Sequence, residues 1–317
     1  MGECAGFLPG GDAMKQIVIL SGKGGTGKTS LSAAFAHLAG PSGKNVLVDA
    51  DVDAANLELL LKAQRVKEEA FIGGSIALIN HECCSGCGTC QEVCRFDAVS
   101  QDNGKFLIDP VACDGCAACV YACPEKAITM EKQQAGEWYV SETGFGRFYH
   151  AHLFPAQENS GKLVALIKRQ AQQALEEMEG DLMLVDGPPG IGCPVISAIS
   201  GADVVLIVTE PSLAGIHDLE RVLGTADYFQ VPAWVCINKV DLYPEGAERI
   251  KEICQDLGVT LLGDIPYDLA IPRAMSAGQP VTSYEPGSDA SRQISVIWDK
   301  VQKEMDKLGP AGQLIQI

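Results

Sequence analysis

A glycine-rich loop that follows an apolar run is the feature that most constrains this chain. Residues 17–30 read Ile-Val-Ile-Leu-Ser-Gly-Lys-Gly-Gly-Thr-Gly-Lys-Thr-Ser. The run predicts a buried strand, and the apolar periodicity after residue 30 predicts a helix. Four positions fit the pattern G-x-x-x-x-G-K-S/T: Gly22, Gly27, Lys28 and Thr29. In such a loop glycines let backbone N–H groups converge on phosphate oxygens.

This pattern predicts a catalytic and metal-binding role for two side chains. Lys28 would reach the β- and γ-phosphates of a nucleotide, and the Thr29 hydroxyl would bind Mg²⁺. The helix N-terminus would add its partial positive charge. A glycine-rich turn without a ligand is the alternative, but the order strand, loop, helix favours a phosphate site.

A second lysine, Lys23, lies inside the loop. The stretch Lys23-Gly24-Gly25-Thr26-Gly27-Lys28-Thr29 resembles the deviant Walker A motif of the MinD/ParA/Mrp/nitrogenase-iron-protein ATPases. The resemblance implies ATP/ADP and Mg²⁺ as ligands, and a homodimer or a heterodimer with a paralogous ATPase. Lys23 would then be catalytic, touching phosphates held by the other subunit. The phosphate-binding residues would be Gly22, Lys23, Gly24, Gly25, Thr26, Gly27, Lys28, Thr29 and Ser30. Without the resemblance, Lys23 is an exposed loop lysine.

Length, charge and cysteine content limit the possible functions. A chain of 317 residues can hold two domains, or one α/β domain with an insertion. The net charge of −17 argues against a nucleic-acid or anionic-membrane partner. We find neither a secretory signal nor a membrane-spanning run, which predicts a cytoplasmic protein. Thirteen cysteines in that compartment favour metal ligation over disulfides.

Eight of these cysteines form two runs with the spacing C-x2-C-x2-C-x3-C, which is typical of bacterial ferredoxins with two 4Fe-4S clusters. In such proteins the fourth cysteine of each run ligates the other cluster. The first cluster would be bound by Cys84, Cys87, Cys90 and Cys123. The second would be bound by Cys113, Cys116, Cys119 and Cys94. Short strands at 76–79, 106–108 and 128–130 would cover both clusters. Zinc is the alternative, although its sites seldom interlock two such runs.

Two residues beside the cysteine runs differ from the usual ferredoxin sequence. Arg95 follows Cys94 where a ferredoxin usually has proline, and it could donate to cluster sulfur. Cys83 adjoins Cys84 and could compete as a ligand, but the x2 spacing favours Cys84.

Carboxylates follow a second predicted strand, residues 44–49, where α/β sheets bind ligands. By resemblance this is switch I. Asp49 would support Mg²⁺, Asp51 would orient the attacking water, and Asn56 would respond to the nucleotide. Capping of the next helix is the alternative for Asp51 and our preferred interpretation for Asp53. That leucine-rich helix is expected to end in the charged stretch 62–69.

A third motif occurs at 182–190, Leu-Met-Leu-Val-Asp-Gly-Pro-Pro-Gly. Its apolar run predicts a central parallel strand. It resembles the Walker B and switch II segment of Mrp-like proteins, which implies that Asp186 accepts from a Mg²⁺-bound water and that Gly190 presents its N–H to the γ-phosphate. Cys193 lies just beyond this motif, at an offset that resembles that of a cluster-ligating cysteine in the nitrogenase iron protein. The other ligating cysteine of that protein has no counterpart in this chain. An ordinary residue before Pro194 at a helix start is the favoured interpretation.

The base-binding end resembles the same ATPases. Asn238 would bond the adenine edge and Lys239 would cover the ring, while Pro266 and Tyr267 would line the base. Asp241 completes a guanine-type Asn-Lys-x-Asp pattern, yet the Walker A motif favours ATP.

The rest of the sequence predicts further strands and helices of the ATPase sheet. Residues 136–154 predict a strand and turn that re-enter the sheet, with His150 and His152 as strand residues rather than ligands. Helices are predicted at 161–178 and 289–308. The end at 309–317 has no basic residue, unlike the membrane-binding helix of MinD proteins.

We therefore expect an α/β fold: a P-loop NTPase with a mainly parallel sheet flanked by helices. Residues 14–71 and 133–317 would form the ATPase domain, 72–132 an inserted α+β bacterial-type ferredoxin domain, and 1–13 an extension. The expected function is Mg²⁺-dependent ATP hydrolysis, slow without a partner, coupled to electron transfer or docking of a redox partner through two 4Fe-4S clusters. The alternative is an Mrp-type carrier that assembles clusters or metal cofactors on a metalloprotein client. A partitioning ATPase is disfavoured by the acidic charge and the absence of a basic tail.

Overall fold

The structure of the protein, a computed structural model, describes residues 15–40, 44–155, 157 and 159–308. The predicted extension 1–13 and the chain end 309–317 lie outside these residues. The strands of the described part are β1 (Lys15–Ser21), β2 (Asn45–Asp49), β3 (Gln64–Ile79), β4 (Val99–Asp102), β5 (Lys105–Ile108), β6 (Ile128–Thr143), β7 (Gly146–Leu153), β8 (Leu182–Pro189), β9 (Val204–Thr209), β10 (Ala233–Asn238) and β11 (Thr260–Ile265).

Helices of the described part cover both faces of the main sheet, apart from two short ones that lie within the cysteine runs. They are α1 (Lys28–Ala39), α2 (Leu57–Leu61), α3 (Thr89–Glu92), α4 (Ala118–Ala122), α5 (Ser160–Glu177), α6 (Cys193–Ile199), α7 (Leu213–Tyr228), α8 (Pro244–Asp256), α9 (Ala270–Ser276), α10 (Val281–Tyr284) and α11 (Asp289–Met305). The two longest, α5 and α11, confirm the helices predicted from periodicity. No helix among the described residues is long and apolar enough to cross a membrane.

Nine strands form the main sheet, in the order β11-β10-β9-β1-β8-β2-β7-β6-β3. The pairs from β11 to β7 are parallel, which confirms a mainly parallel sheet. The central strands are fully buried, as their continuous apolar runs predict. Side chains on one face pack with α5 and α6, and those on the other pack with α1 and α11. These two cores fix the ends of β1, β2 and β8 at one edge of the sheet.

The sheet is extended by a long antiparallel hairpin of β3 and β6. The charged stretch at 62–69 was expected to end a helix, and this prediction was wrong. α2 ends at Leu61, Lys62 adopts a left-handed conformation, and β3 begins at Gln64. Pairing with β6 makes this stretch a strand. The pairing places Arg65 over the Tyr139 ring at 4.0 Å and Lys67 over the Trp138 ring at 5.0 Å, which are favourable cation–π contacts.

The hairpin reaches past the carboxyl edge of the parallel strands. Phe71 pairs with Gly136, which pairs with Leu153 at the end of β7. Residues 72–79 of β3 and their partners in β6 therefore project beyond that edge. The predicted short strands at 76–79 and 128–130 are the far ends of these long strands, so that expectation was wrong about their length.

β3 and β6 run through the predicted domain boundaries at 71/72 and 132/133. The strand pairing is irregular between Phe71 and Gly74, close to the first boundary, and such bulges bend a strand. Beyond the bulge, the cysteine-rich segment folds around a small core that contains Ala77, Val99, Phe106 and Ile128.

Both histidines of β7 are strand residues, as predicted. His150 is buried, stacks on Phe148 and bonds through Nε2 to Ser141 Oγ at 2.9 Å. Its Nδ1 lies 3.5 Å from Glu58 Oε2 on α2. Burial lowers the pKa of His150 to about 4, so the ring is neutral and ties α2 to the sheet.

Candidate functional site

The glycine-rich loop joins β1 to α1 at the carboxyl edge of the sheet. Gly27 has φ +95°, and a β-carbon there would lie 2.2 Å from Asn238 Nδ2. Asn238 Nδ2 donates to the Thr26 carbonyl at 2.7 Å, which joins the loop to the end of β10. Only glycine fits this conformation and this approach. The buried Thr26 hydroxyl makes no hydrogen bond within the described chain.

A cavity of about 630 Å³ lies over this loop. Most of the predicted nucleotide-binding residues line it: Gly24, Gly25, Thr26, Gly27, Lys28, Thr29, Ser30, Asn56, Asn238, Lys239, Pro266 and Tyr267. Asp51 also lines it, and so does Asp53. Asp53 was expected to cap a helix, which was wrong, because Asn56 precedes the first residue of α2.

Lys28 is buried beneath the cavity among carboxylates. Its Nζ donates to Asp186 Oδ1 at 3.1 Å and lies 3.8 Å from Asp51 Oδ2. Burial opposes the charge of Lys28, but Asp186, Asp49 and Asp51 together raise its pKa. Ser32 Oγ also donates to Asp186 Oδ1, at 2.8 Å. The other Asp186 oxygen, Oδ2, is buried and has no partner among the described residues.

Asp49 organises the segment that follows β2. Its Oδ2 accepts the N–H groups of Asn56 at 3.2 Å and Leu57 at 3.1 Å, and its Oδ1 accepts that of Asp51 at 3.1 Å. Burial, followed by the charge of Asp186, raises the pKa of Asp49 to about 8. Burial likewise raises the pKa of Asp51. Three carboxylates face one lysine, an arrangement that a divalent cation would balance.

The base-lining loop is held by Asp241. Its Oδ1 accepts the Tyr267 N–H at 2.6 Å. A G-protein carboxylate at this position would read guanine, whereas here the carboxylate fixes backbone. Lys239 Nζ donates to the Gly25 carbonyl at 3.0 Å and so packs against the phosphate loop.

Three of the residues predicted to contact phosphate do not line the cavity. Gly22 packs on Asp218, where a β-carbon would lie 2.2 Å from the Asp218 side chain. Lys23 Nζ forms an ion pair with Glu210. The Gly190 N–H donates to the Ser21 carbonyl at 2.9 Å, so it is not directed at a phosphate in this structure.

The two cysteine runs form two small cavities. One is lined by Cys84, Cys87, Cys90 and Cys123. The other is lined by Cys94, Cys113, Cys116 and Cys119. Each cavity thus combines three cysteines of one run with the fourth cysteine of the other. Within the described residues no three His, Cys, Asp or Glu side chains converge closely enough to hold one metal ion.

The remaining described cysteines lie elsewhere. Cys83 is exposed and lines neither of these cavities. Cys193 is exposed at the start of α6, and Cys236 and Cys254 are buried. Arg95 has no side-chain hydrogen bond in the described chain, and its donation to a cluster stays a prediction.

Comparison with known proteins gives a family. Residues 17–281 match the CobQ/CobB/MinD/ParA nucleotide binding domain. The chain belongs to this family of nucleotide-binding domains. Family members of the MinD/ParA type are P-loop ATPases, and this chain is one of them.

Similar proteins span nearly the whole chain. An uncharacterised protein of Methanocaldococcus jannaschii is 32% identical over 288 residues, which are 91% of this chain and 96% of that protein. The septum site-determining protein MinD of Bacillus subtilis is 26% identical, over 87% of this chain and 84% of its own length. An iron-sulfur cluster carrier protein of Pyrococcus horikoshii is 23% identical, over 94% and 89%.

Solved structures of the family share the fold. MinD of Pyrococcus horikoshii, complexed with Mg-ADP, superimposes with a TM-score of 0.58 at 19% identity, over 92% of this chain and 97% of that one. Dimerisation on ATP binding is a property of MinD/ParA homologues.

Two contacts of this family member were not anticipated from its sequence. Ser32 shares Asp186 with Lys28, and Glu210 pairs with both Lys23 and Lys239. The only sequence signal for Glu210 is its position directly after the apolar run of β9.

Proposed function

We propose that this ATPase couples nucleotide-driven dimer switching to two 4Fe-4S clusters, which pass electrons to a redox partner or dock it. One observation carries the proposal: the chain brings together two sets of four cysteines, each completed by the other run. This crossed arrangement is how two-cluster ferredoxins bind their clusters. The cysteine thiolates would supply all ligands, and the clusters would supply one-electron chemistry.

The nucleotide site fits Mg²⁺ and a triphosphate. The unpartnered Asp186 Oδ2 could accept from a Mg²⁺-bound water, with Thr29 as ligand and Asp49 in support. Lys28 would neutralise the β- and γ-phosphates, while Asp51 orients the attacking water. Bound Mg²⁺ would offset charge that develops on the phosphate oxygens.

Other residues of the site would bind the nucleotide and the second subunit. Asn238, Lys239, Pro266 and Tyr267 would hold adenine. The Gly190 N–H would reach the γ-phosphate only after it leaves the Ser21 carbonyl, which makes it a candidate nucleotide-dependent contact. Lys23 would complete the site of the other subunit, in a homodimer or in a heterodimer with a paralogous ATPase.

One continuous stretch of chain, braced by hydrogen bonds, connects the nucleotide site with the cysteine cavities. Asp49 binds the N–H groups at the start of α2, and α2 leads within three residues into β3. Glu58 of α2 contacts Arg65 of β3 at 3.3 Å. β3 ends beside the cysteine cavities, where Ile79 lines the first and Ala77 the second. A change at Asp49 would therefore act on the strand that carries the clusters.

The experiment is anoxic purification with iron counting, and EPR with and without Mg-ATP. We expect roughly eight irons per chain and signals of two 4Fe-4S clusters. ATP should change the cluster potentials or the affinity for a redox partner. Protein that carries few irons would contradict the cluster assignment. Full clusters that are indifferent to ATP in both potential and docking would contradict the coupling alone.

A second candidate is an ATP-dependent carrier of iron–sulfur clusters or metal cofactors. It is favoured by the similarity to the cluster carrier protein of Pyrococcus horikoshii. A carrier would lose its clusters to an apo-client, whereas an electron-transfer protein would retain them. Transfer of iron to an apo-ferredoxin, followed by gel filtration, discriminates the two.

A further inference from the structure

Ser32 lies one helical turn after Lys28 on α1 and is buried against Asp186 at the end of β8. Residues four apart share one face of a helix, so both side chains reach the same carboxylate. Ser32 Oγ lies 2.8 Å from Asp186 Oδ1, and Lys28 Nζ lies 3.1 Å from the same oxygen. Asp186 Oδ1 therefore has two donors, whereas the buried Asp186 Oδ2 has no partner among the described residues.

The Ser32 hydroxyl has one proton and two acceptors within reach. The second acceptor is the Lys28 carbonyl, which lies 3.0 Å from Ser32 Oγ. A hydrogen bond to a carboxylate is charge-assisted and stronger than one to a neutral carbonyl, so the proton belongs to the bond with Asp186. Ser32 and Asp186 are both buried, and water does not compete for this bond.

The two donors of Asp186 Oδ1 differ in how firmly the fold fixes them. The proposed mechanism assigns Lys28 to the phosphates, and its flexible four-carbon stem lets the ammonium turn toward them. Ser32 carries its hydroxyl directly on Cβ, so this donor stays where α1 places it. Ser32 is thus the donor that holds Asp186 Oδ1 whether or not a nucleotide is bound.

We propose that Ser32 is a positioning residue for Mg²⁺: it holds Asp186 Oδ1, so that Asp186 Oδ2 is the oxygen available to a water of the metal. The inference rests on the proposed role of Asp186 in binding Mg²⁺. The phosphate-loop pattern ends at Thr29, so Ser32 lies outside the motif that marks the site. Hydrogen bonds that orient the groups around a metal commonly change its affinity by tenfold or more.

The test compares Ser32→Ala with the wild type as anoxic holoprotein. The probe is a fluorescent N-methylanthraniloyl derivative of ADP, titrated once with Mg²⁺ and once with EDTA. In Ser32→Ala the affinity measured with Mg²⁺ should fall roughly tenfold, while the affinity measured with EDTA should stay unchanged. The free Mg²⁺ concentration for half-maximal ATP hydrolysis should rise by a similar factor.

Ser295→Ala on α11 is the matched control. Ser295 Oγ donates to the Ser291 carbonyl four residues earlier, at 2.9 Å, and this bond involves no carboxylate. The control should bind the probe like wild type in both titrations. A merely structural role of Ser32 predicts that Ser32→Ala loses affinity equally with Mg²⁺ and with EDTA. That result would overturn the inference, and so would wild-type affinity in both titrations.

Asp186→Asn separates this inference from the proposed function. If Asp186→Asn loses the gain in affinity that Mg²⁺ provides while Ser32→Ala keeps it, the role of Asp186 stands and that of Ser32 is wrong. If Asp186→Asn keeps the full gain, the proposed role of Asp186 is wrong, and the inference falls with it.

Discussion

Gly115 and Ser75 touch backbone to backbone: a β-carbon on Gly115 would lie 2.2 Å from the Ser75 carbonyl oxygen. Gly115 lies in the second cysteine run and has φ +72°, while Ser75 lies on β3. The contact fixes that run to the strand that leads back to the nucleotide site. No side chain larger than hydrogen fits between them.

Gly115→Ala should therefore displace the second run and weaken the cluster proposed there. We expect iron to fall from roughly eight to roughly four per chain, because the first cavity uses only Cys123 of that run. Gly74→Ala is the matched control on β3, since a β-carbon there meets nothing within 4 Å. Iron counting on anoxic protein decides, and full iron in Gly115→Ala would show that this contact is dispensable.

The proposed crossed ligation predicts a specific result for Cys123→Ser. The variant should lose the cluster of Cys84, Cys87 and Cys90 and retain the other, leaving roughly four irons. Cys83→Ser should keep roughly eight, because Cys83 lines neither cysteine cavity. EPR of the reduced proteins identifies the surviving cluster. Loss of iron in Cys83→Ser equal to that in Cys123→Ser would disprove this ligand assignment.

Asp49 predicts a pH dependence of stability. Its pKa is raised to about 8 in the folded state from 3.8. The native state therefore binds more protons than the unfolded chain between these values, so the stability from this group falls as pH rises. Relative to Asp49→Asn, nucleotide-free wild type should lose roughly 5 kcal/mol between about pH 4 and pH 8.

Urea unfolding of the two proteins at several pH values, without Mg²⁺ or nucleotide, measures the difference. In Asp49→Asn the side-chain amide group, a donor, would face the Asp51 N–H, which is also a donor. The variant should therefore be less stable than wild type at about pH 5, by roughly 1 kcal/mol. The two stability curves should therefore cross before about pH 8. Parallel curves would show that Asp49 is ionised in the free protein.

The contact of Asp241 with the Tyr267 backbone predicts that its loss weakens ATP binding without changing the preference for ATP over GTP. Asp241→Ala frees the Tyr267 backbone and should raise the KM for ATP roughly five- to tenfold with little change in kcat. Asp241→Asn retains an oxygen acceptor and should resemble wild type, while Asp256→Ala on α8 is an exposed control. Steady-state kinetics with ATP and GTP test this. A loss of GTP hydrolysis specific to Asp241→Asn would instead indicate that the carboxylate reads guanine.

The parts of the site that sequence predicted are those fixed by local motifs. Lys28 and Asp186 were predictable because each ends or follows an apolar strand, and parallel strands bring their carboxyl ends to one edge. The cysteine sets followed from spacing that is repeated twice. By contrast, the strand at Gln64–Glu69 was misassigned, because its charges resemble an exposed helix end and its partner β6 is distant in the chain.

Glu210 was missed for a related reason. Its contact with Lys23 joins residues far apart in the sequence, and neither residue belongs to a pattern that mentions the other. Pairings of this kind depend on which loops the sheet order places side by side, here those after β1, β9 and β10. Local periodicity carries no information about that order.

The projection of β3 and β6 past the carboxyl edge has a geometric consequence. Any second copy that approaches this edge to complete the nucleotide site must fit beside an arm that already extends there. In a symmetric dimer, two such arms would lie on either side of the subunit interface. A third molecule that docks on the cysteine-rich tips would then respond to whether the two subunits have closed, without contacting the nucleotide.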